Sequence, residues 1–498
     1  MASRVGIAHP TIVFGELSGK VVAFKVGLLG LGTVGTGTVQ LLQDRAGRHS
    51  LMQELEIYRV GVRSLDKSRA VNLPDGILTT DLQAIVTDPE VEIVIEVLGG
   101  LEPARSLIME AIAHGKHVVT ANKAVIARYG NEIFDAANAA GVYVMLEAAV
   151  GGGIPVIQPL KQSLGVNRIH AITGIVNGTT NYILTRMQAE GSSFDDVLAD
   201  AQKLGYAEAD PTADVDGLDA GDKIAILASL AYGGRIKLPD VYCEGIRQVS
   251  QTDITYAQKL GFTIKLLAIA QRERAGLSGR SVAQQANGLN SPQRERAGLS
   301  GRSVAQQANG LNPPLLSVRV HPTLVPESHP LASIHGVYNA ILVEAEPLGQ
   351  VMFFGPGAGA GATASAVVSD ILNVAAVLKT GHLETESASL HPLLACTHQD
   401  YCAIAPMSEL VTRFYARFLT KDHPGVIGKL GTCFGSHGVS LESVVQTGIH
   451  KHLAEIVVVT HNVREGDFHQ ALAEIRQLEA VDSIPSILRV LEERNGEE

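Results

Sequence analysis

The sequence predicts an α/β protein in three parts: a doubly wound domain, a larger α+β domain, and a small βαββαβ module towards the C-terminus. Three observations carry this reading. Between Phe24 and Val150, continuous apolar runs alternate with helix-length segments. From Leu218 to about Tyr232 runs a helical stretch that is apolar on nearly every side. From residue 411 a fresh strand–helix–strand pattern begins.

Residues 1–24 are set aside as an N-terminal extension, and residues 25–155 form the first domain. "FKVGLLG" is a strand and "TVGTGTVQLLQ" the helix after it; "EIYRVGV", "EVEIVIEVLGG", "HVVTA" and "VYVMLEAAV" are further strands. Runs of Val, Ile and Leu without polar alternation mark strands covered on both faces, as in a parallel sheet flanked by helices. Within "VGLLGLGTVG" the spacing G-x-G-x-x-G falls at Gly30, Gly32 and Gly35, with Thr33 and Val34 between the last two. Because it follows a strand and opens a helix, it points to a Rossmann-type dinucleotide site, a purely structural glycine turn being the alternative. Gly30 permits the tight turn, Gly32 the approach of a pyrophosphate, and Gly35 close packing of helix on strand. The helix start supplies N–H groups and a positive dipole end to the phosphates. At the end of the second strand, "VGVRSLDKSR" places Arg63 and Lys67 where cations can pair a 2′-phosphate. This favours NADP(H), while Asp66 leaves room for NAD(H).

Residues 156–385 form the second domain. "NRIHAITGIVNGTTNYIL" reads strand, loop, helix, and "AILVEAEPLGQVMFFGPGAGAGATASAVVSDILNVA" reads strand pair, glycine-rich turn, helix. The helix near 360–380 is expected to return to the first domain. An insertion at 271–314 contains one string twice, "QRERAGLSGRSVAQQANGLN", at 271–290 and 293–312. It is polar and is not a solenoid, so it reads as a largely disordered surface insertion. Residues 386–410 read as a linker, and residues 411–498 as the βαββαβ module with helices on one face of a small antiparallel sheet.

Net charge is −11 and the pI about 5.9, which argues against a nucleic-acid or anionic-membrane partner. The four cysteines form no C-x-x-C pair and no metal-ligand spacing, and suit a reducing compartment. No unbroken apolar run approaches the ~20 residues of a membrane span, and the first residues lack a secretory h-region. A cytoplasmic protein is the expectation.

The densest polar string is "YAEADPTADVDGLDAGDKIAILASLAYGG", at 206–234. Asp219 and Lys223 lie four apart, on one helix face. Either they are an exposed ion pair worth ~0.3–0.5 kcal/mol, or they belong to a site. The apolar surroundings favour a helix on which a lysine needs a partner or a cavity.

This string, with "GLLGLGTVG", "TANKAVIA", "LEAAVGGGIPVI", "TGIVNGTTNYIL", "RVHPTLVP", "FFGPGAGAGATASAVVSD" and "APMSELVTRFYARF", resembles homoserine dehydrogenase, in order over roughly residues 25–490. The C-terminal segment is similar to an ACT domain. The resemblance implies NAD(P)H-dependent interconversion of aspartate 4-semialdehyde and homoserine, in threonine, methionine and isoleucine biosynthesis. It implies that Lys223 gives and takes the proton at the alcohol oxygen. Asp219 and Glu208 hold the substrate, Glu208 its ammonium group, with Asp214 supporting them. Lys123 lies at the nicotinamide side, and Gly205 and Gly357 approach the cofactor. "EAAVGGGIP" is similar to a monovalent-cation loop, with the Glu147 carboxylate and the carbonyls of Val150, Gly152 and Ile154 on sodium or potassium; a plain strand-to-helix turn before Pro155 is the alternative. The ACT-like segment implies threonine as effector, or dimerisation only, and the family implies a homodimer or homotetramer.

The chemistry is coherent in itself. Hydride removal from an alcohol needs a base for the hydroxyl proton. A lysine can serve when its pKa falls from ~10.4 towards neutrality. Burial and a second cation push it down, and close carboxylates push it up. Three departures stand out: Ala362 in place of a usual proline, the duplicated insertion, and the first residues. Aspartate-semialdehyde dehydrogenase fits poorly, since no cysteine lies in the nucleotide half. A fusion to aspartokinase is not expected with a nucleotide domain starting near residue 25. A non-catalytic sensor of NADP and an amino acid is the remaining rival; scatter of Lys123, Glu208, Asp219 and Lys223 would favour it.

Overall fold

Six parallel strands build the first layer of the computed structural model, which describes residues 23–273, 315–380, 390–396, 398–450 and 453–492. They are β1 (Phe24–Leu29), β2 (Leu55–Gly61), β3 (Leu78–Thr79), β4 (Ile93–Glu96), β5 (His117–Thr120) and β6 (Val144–Met145). Their order is β3-β2-β1-β4-β5-β6, so the strand order reverses between β1 and β4 while every strand stays parallel. Helices α1 (Thr33–Gln43), α2 (Gln83–Val86), α3 (Ala104–Ala113) and α4 (Lys123–Ala140) connect them. This is the doubly wound order, in which ligands bind at the carboxyl ends of strands beside the reversal.

The expected strand in "VYVMLEAAV" is short. Only Val144 and Met145 pair with β5. The chain then turns, because the Glu147 N–H donates to Asp370 Oδ2 at 2.7 Å and the Glu147 carboxylate caps α5 (Ile157–Lys161).

The second domain holds β7 (Arg168–Ile175), α6 (Gly178–Glu190), α7 (Phe194–Lys203), α8 (Thr212–Val215), α9 (Leu218–Tyr232), β8 (Tyr242–Cys243), α10 (Gln251–Lys259) and β9 (Phe262–Arg272). It continues with β10 (Leu315–Pro326), β11 (Tyr338–Glu346), β12 (Gly349–Pro356) and α11 (Ala360–Lys379). The duplicated string begins inside the sheet: Gln271 pairs with both Ser317 and Ala171. The insertion therefore starts after β9 rather than at residue 271. The expectation of disorder for 274–314 lies outside the described residues, as does the extension over 1–22.

Helix α11 returns to the first domain, where a Cβ on Gly37 of α1 would lie 2.6 Å from Ala360 O. Val367 and Ile371 share a core with Val26 of β1. By length and composition α11 could cross a membrane, although polar residues such as Thr363, Ser365, Ser369 and Asp370 interrupt its apolar run; half of its apolar window is buried inside the protein.

Residues 386–410 are not wholly a linker, since β13 (Ala403–Ile404) pairs with β10. The last module contains β14 (Val411–Lys421), α12 (Val426–Ser436), β15 (Leu441–His450), β16 (Leu453–Thr460), β17 (Val463–Arg464), α13 (Glu465–Ile475) and β18 (Val481–Val490). Phe414, Phe418, Phe434 and Phe468 fill its core. Its sheet is not separate. Strand β18 pairs parallel with β10 at Thr323↔Arg489 and Leu324↔Val490, giving one sheet in the order β12-β11-β7-β9-β10-β18-β14-β16-β15.

Two charged joints fasten it. Arg417 on β14 donates to Asp253 Oδ1 on α10 at 2.8 Å and to Glu455 at 2.9 Å. Arg489 on β18 donates to Glu244, just after β8, at 2.9 Å and also pairs with Glu465.

Candidate active site

Three helix starts converge beyond the carboxyl end of β5 in the parallel sheet. Helix α4 begins after β5, where the Thr120 hydroxyl donates to Glu96 at 2.6 Å and Asn122 Nδ2 donates to Gly100 O at 2.8 Å. The Asn122 side chain also accepts from Val125 N, so Asn122 caps the helix and Lys123 is its first residue. Helix α6 is capped by Asn177, whose Oδ1 accepts from Thr180 N at 2.9 Å. Helix α9 follows Gly217, which has φ +81, a conformation suited to glycine. There Val320 of β10 would lie 3.1 Å from an added Cβ.

Asp219 is the centre of the cluster. Lys223 Nζ lies 2.7 Å from its Oδ2 and Lys123 Nζ 2.9 Å from its Oδ1. Asn177 Nδ2 donates to Asp219 Oδ2 at 2.9 Å and to Asp214 Oδ1 at 2.7 Å. Lys223 also donates to Val176 O at 2.7 Å. An ammonium has three donors, so among the described residues Lys223 keeps one N–H beyond these two partners.

Burial pushes the Asp219 carboxyl upward, but the ammonium groups of Lys223 and Lys123 hold it well below the usual carboxylate range. For Lys123, burial lowers the pKa, and Asp219, with Asp214 and Asp222 behind it, reverses this to a net rise. Asp214 is raised by burial and by the charge of Asp219, against the hydrogen bond from Asn177. Asp219 is thus an anion beside a cationic Lys123.

The structure brings Lys123, Asp214, Asp219 and Lys223 together, as a site requires and a scatter of side chains would not. Glu208 stands apart: it is exposed, and its carboxylate has no hydrogen-bond partner among the described residues. Its loop lies against α6, where the Thr179 hydroxyl donates to Tyr206 O at 2.6 Å. Gly205 precedes it at φ +75. Sequence reasoning missed Asn177, the carbonyl of Val176, and the pair of Arg128 with Asp222 at 3.0 Å. Asn before G-T-T was a legible cap signal; the other two are purely tertiary.

At the sheet reversal Gly30 has φ +106 and its N–H donates to Gly61 O at 3.0 Å. A Cβ on Gly35 would lie 2.1 Å from Gly30 O, so helix and strand touch there. A Cβ on Gly32 would meet nothing within 4 Å. The start of α1, with Thr33 and Val34, therefore borders open space that fits a phosphate approaching the backbone N–H groups. Arg63 and Lys67 are exposed beyond β2, and neither pairs with a carboxylate among the described residues. Arg69 orders their loop, donating to Lys67 O at 2.7 Å and Leu65 O at 3.1 Å.

The Glu147 carboxylate accepts from the N–H groups of Val156, Ile157 and Gln158 at 2.6–2.8 Å. It acts as the cap of α5. The carbonyls of Val150, Gly152 and Ile154 accept no backbone hydrogen bond among the described residues. A Cβ on Gly152 would lie 2.4 Å from Gly357 O, and one on Gly357 would strike the Asn339 amide. The two glycines thus let this loop and the glycine-rich turn close on each other.

A dinucleotide fold whose crevice borders a buried lysine and its carboxylate defines a nicotinamide-dependent oxidoreductase with an appended C-terminal module. Family models agree: the homoserine dehydrogenase NAD binding domain matches residues 30–147, the homoserine dehydrogenase domain residues 155–372, and the ACT domain residues 414–480. The chain is 62% identical to a homoserine dehydrogenase of Synechocystis sp., over 94% of this chain and 99% of that one. It is 39% identical to that of Bacillus subtilis, over 95% and 99%. A crystal structure of a homoserine dehydrogenase from Thiobacillus denitrificans superposes with a TM-score of 0.80 at 40% identity, covering 94% of this chain and 98% of that one. A hyperthermophilic archaeal homoserine dehydrogenase in complex with NADPH matches at a TM-score of 0.55 and 25% identity, covering 72% of this chain and 98% of that one. The chain belongs to the homoserine dehydrogenase family.

Proposed function

We propose that the chain catalyses the reversible reduction of L-aspartate 4-semialdehyde to L-homoserine, with Lys223 as the proton donor to the carbonyl oxygen. The observation that carries this is the held ammonium of Lys223, with one N–H left beyond Asp219 and Val176 O. When bound, NAD(P)H supplies the hydride to the aldehyde carbon. As that carbon accepts it, Lys223 passes a proton to the oxygen that becomes the alcohol; in the reverse direction it takes the proton back. Asp219 fixes the position of Lys223 and keeps Lys123 beside it. Lys123 faces the nicotinamide side and stabilises negative charge developing on the oxygen. Asp214 steadies Asp219 through Asn177. Glu208, exposed at the rim, receives the substrate ammonium once substrate is bound.

NADP(H) is the preferred cofactor in this reading, supported by the exposed Arg63 and Lys67, which pair with no carboxylate among the described residues, with NAD(H) usable. Gly205 and Gly357 flank its approach. Sodium or potassium binds the free carbonyls of Val150, Gly152 and Ile154, since hard cations suit oxygen donors. The Glu147 carboxylate, already capped onto α5, shapes that loop. Threonine binds the last module near "KDHPGVIG" and acts through the joints to β10 and α10. Exposed Tyr338, Met352 and Phe354 on the edge of the sheet support a homodimer or homotetramer. Four free thiols suit the reducing cytoplasm. The pathway assigned is threonine, methionine and isoleucine biosynthesis.

The direct test follows the loss of NADPH absorbance on adding aspartate 4-semialdehyde. No turnover by folded protein that binds NADPH would overturn the proposal. Equilibrium dialysis with labelled threonine tests the effector.

A further inference from the structure

A cavity of about 440 Å³ lies between α4 and α9, closed by the loop Arg235–Pro239 and by residues Cys396, His398 and Tyr401. It is separate from the lysine–carboxylate cluster. That cluster sits at Lys123 and at the first turns of α9, whereas the cavity is lined from Ile126 to Phe134 and from Ala225 to Leu230. Its volume falls in the range of small-molecule sites, roughly 300–1,000 Å³.

Its wall is apolar along both helices and cationic at the edge. In a chain of net charge −11, the lining includes Arg128, Arg235 and Lys237, and no Asp or Glu among the described residues. Arg128 is matched by Asp222 at 3.0 Å and Arg235 by Asp135 at 2.5 Å. Lys237 has no carboxylate partner among the described residues; its ammonium lies 5.1 Å over the Tyr401 ring. The edge is built rather than loose. Arg235 Nε donates to His398 O at 2.7 Å, and Asn131 Nδ2 donates to the Tyr401 hydroxyl at 2.6 Å.

We propose that this cavity binds a small monocarboxylate with a branched or aromatic apolar body, its anionic end at Lys237 and Arg235. The apolar walls take the body. The lining offers no unpaired carboxylate for an ammonium group, so an amino acid of the same shape is disfavoured: its cation would be buried beside Lys237 without a partner.

The test is calorimetric titration of the full chain, with NADPH present, using 3-phenylpropanoate and L-phenylalanine, which differ only by the ammonium group. The expected result is saturable binding of 3-phenylpropanoate at about 0.1–1 mM. Lys237→Glu should weaken it by about 10-fold or more and Leu230→Trp, which fills the space, should remove it. Phenylalanine should show no binding that Leu230→Trp removes; any that survives this change lies elsewhere. Lys237 is exposed and outside the active site, so basal NADPH turnover of Lys237→Glu reports folding and should be unchanged. Absence of saturable 3-phenylpropanoate binding, indifference to Lys237→Glu, or equal Leu230-dependent binding of phenylalanine would each overturn the proposal.

Discussion

Lys123 and Lys223 bond opposite oxygens of Asp219, at 2.9 Å and 2.7 Å, so one carboxylate holds both ammonium groups of the cleft. Lys123 comes from the nucleotide domain and Lys223 from a buried helix of the second domain. The carboxylate is therefore also where the two domains meet, and changes at these residues should separate chemistry from binding.

Lys223→Ala removes the proposed proton donor and leaves the glycine turn untouched. Turnover of NADPH with aspartate 4-semialdehyde should fall by ~10²-fold or more. NADPH binding, followed by fluorescence titration, should persist.

Asp219→Asn should lower activity and change stability in a pH-dependent way. The folded carboxyl lies below its ordinary value. Its contribution is therefore present above the unfolded pKa of ~3.9 and is lost as pH falls through the folded one. Urea unfolding of both proteins should show the largest gap near neutral pH and a shrinking gap in acid.

Lys265 gives a slope of the same sign in an alkaline window. It is wholly buried on β9, donating to Asn181 Oδ1 at 3.3 Å and to Ile334 O, and burial lowers its pKa to about 8. The unfolded chain holds that proton up to ~10.4, so between about 8 and ~10.4 the unfolded state binds more protons and stability rises with pH. Lys265→Met should lack this rise. Urea midpoints of the two proteins on either side of this window would reveal it, and parallel curves would refute the assignment.

Arg417→Met strands Asp253, which is 0% exposed, beneath the last module. Breaking a buried pair from one side costs about 3–5 kcal/mol. A lower urea midpoint and faster proteolysis between Ile404 and Val411 are expected.

Arg63→Ala should raise the KM for NADPH by about 10-fold, the loss of one charged hydrogen bond, and leave that for NADH nearly unchanged. Steady-state kinetics with each cofactor decides. Equal effects on both would remove Arg63 from phosphate recognition.

Much of this architecture was legible in the residues because the signals are local. Buried parallel strands are unbroken apolar runs, and the helices at Thr33–Gln43 and Leu218–Tyr232 lie where their patterns place them. The failures have physical causes. "VYVMLEAAV" shortens because Glu147 is drawn to Asp370 and to the start of α5. The supposed linker yields a strand because β10 still had an open edge at Leu315 and Leu316. No pattern within "YAEADPTADVDG" says that Glu208 stays at the surface while Asp214 turns inward to Asn177.

The sequence by itself determined the main buried strands and the helices at Thr33–Gln43 and Leu218–Tyr232, the glycine turn and the shared face of Asp219 and Lys223, because each depends on a spacing of a few residues within one strand, helix or turn. Only the tertiary structure decided that Lys123 shares Asp219, that Asn177 joins it to Asp214, and that β18 extends the sheet through β10. Those contacts join residues distant along the chain, and periodicity records which face an element buries but not what it is buried against.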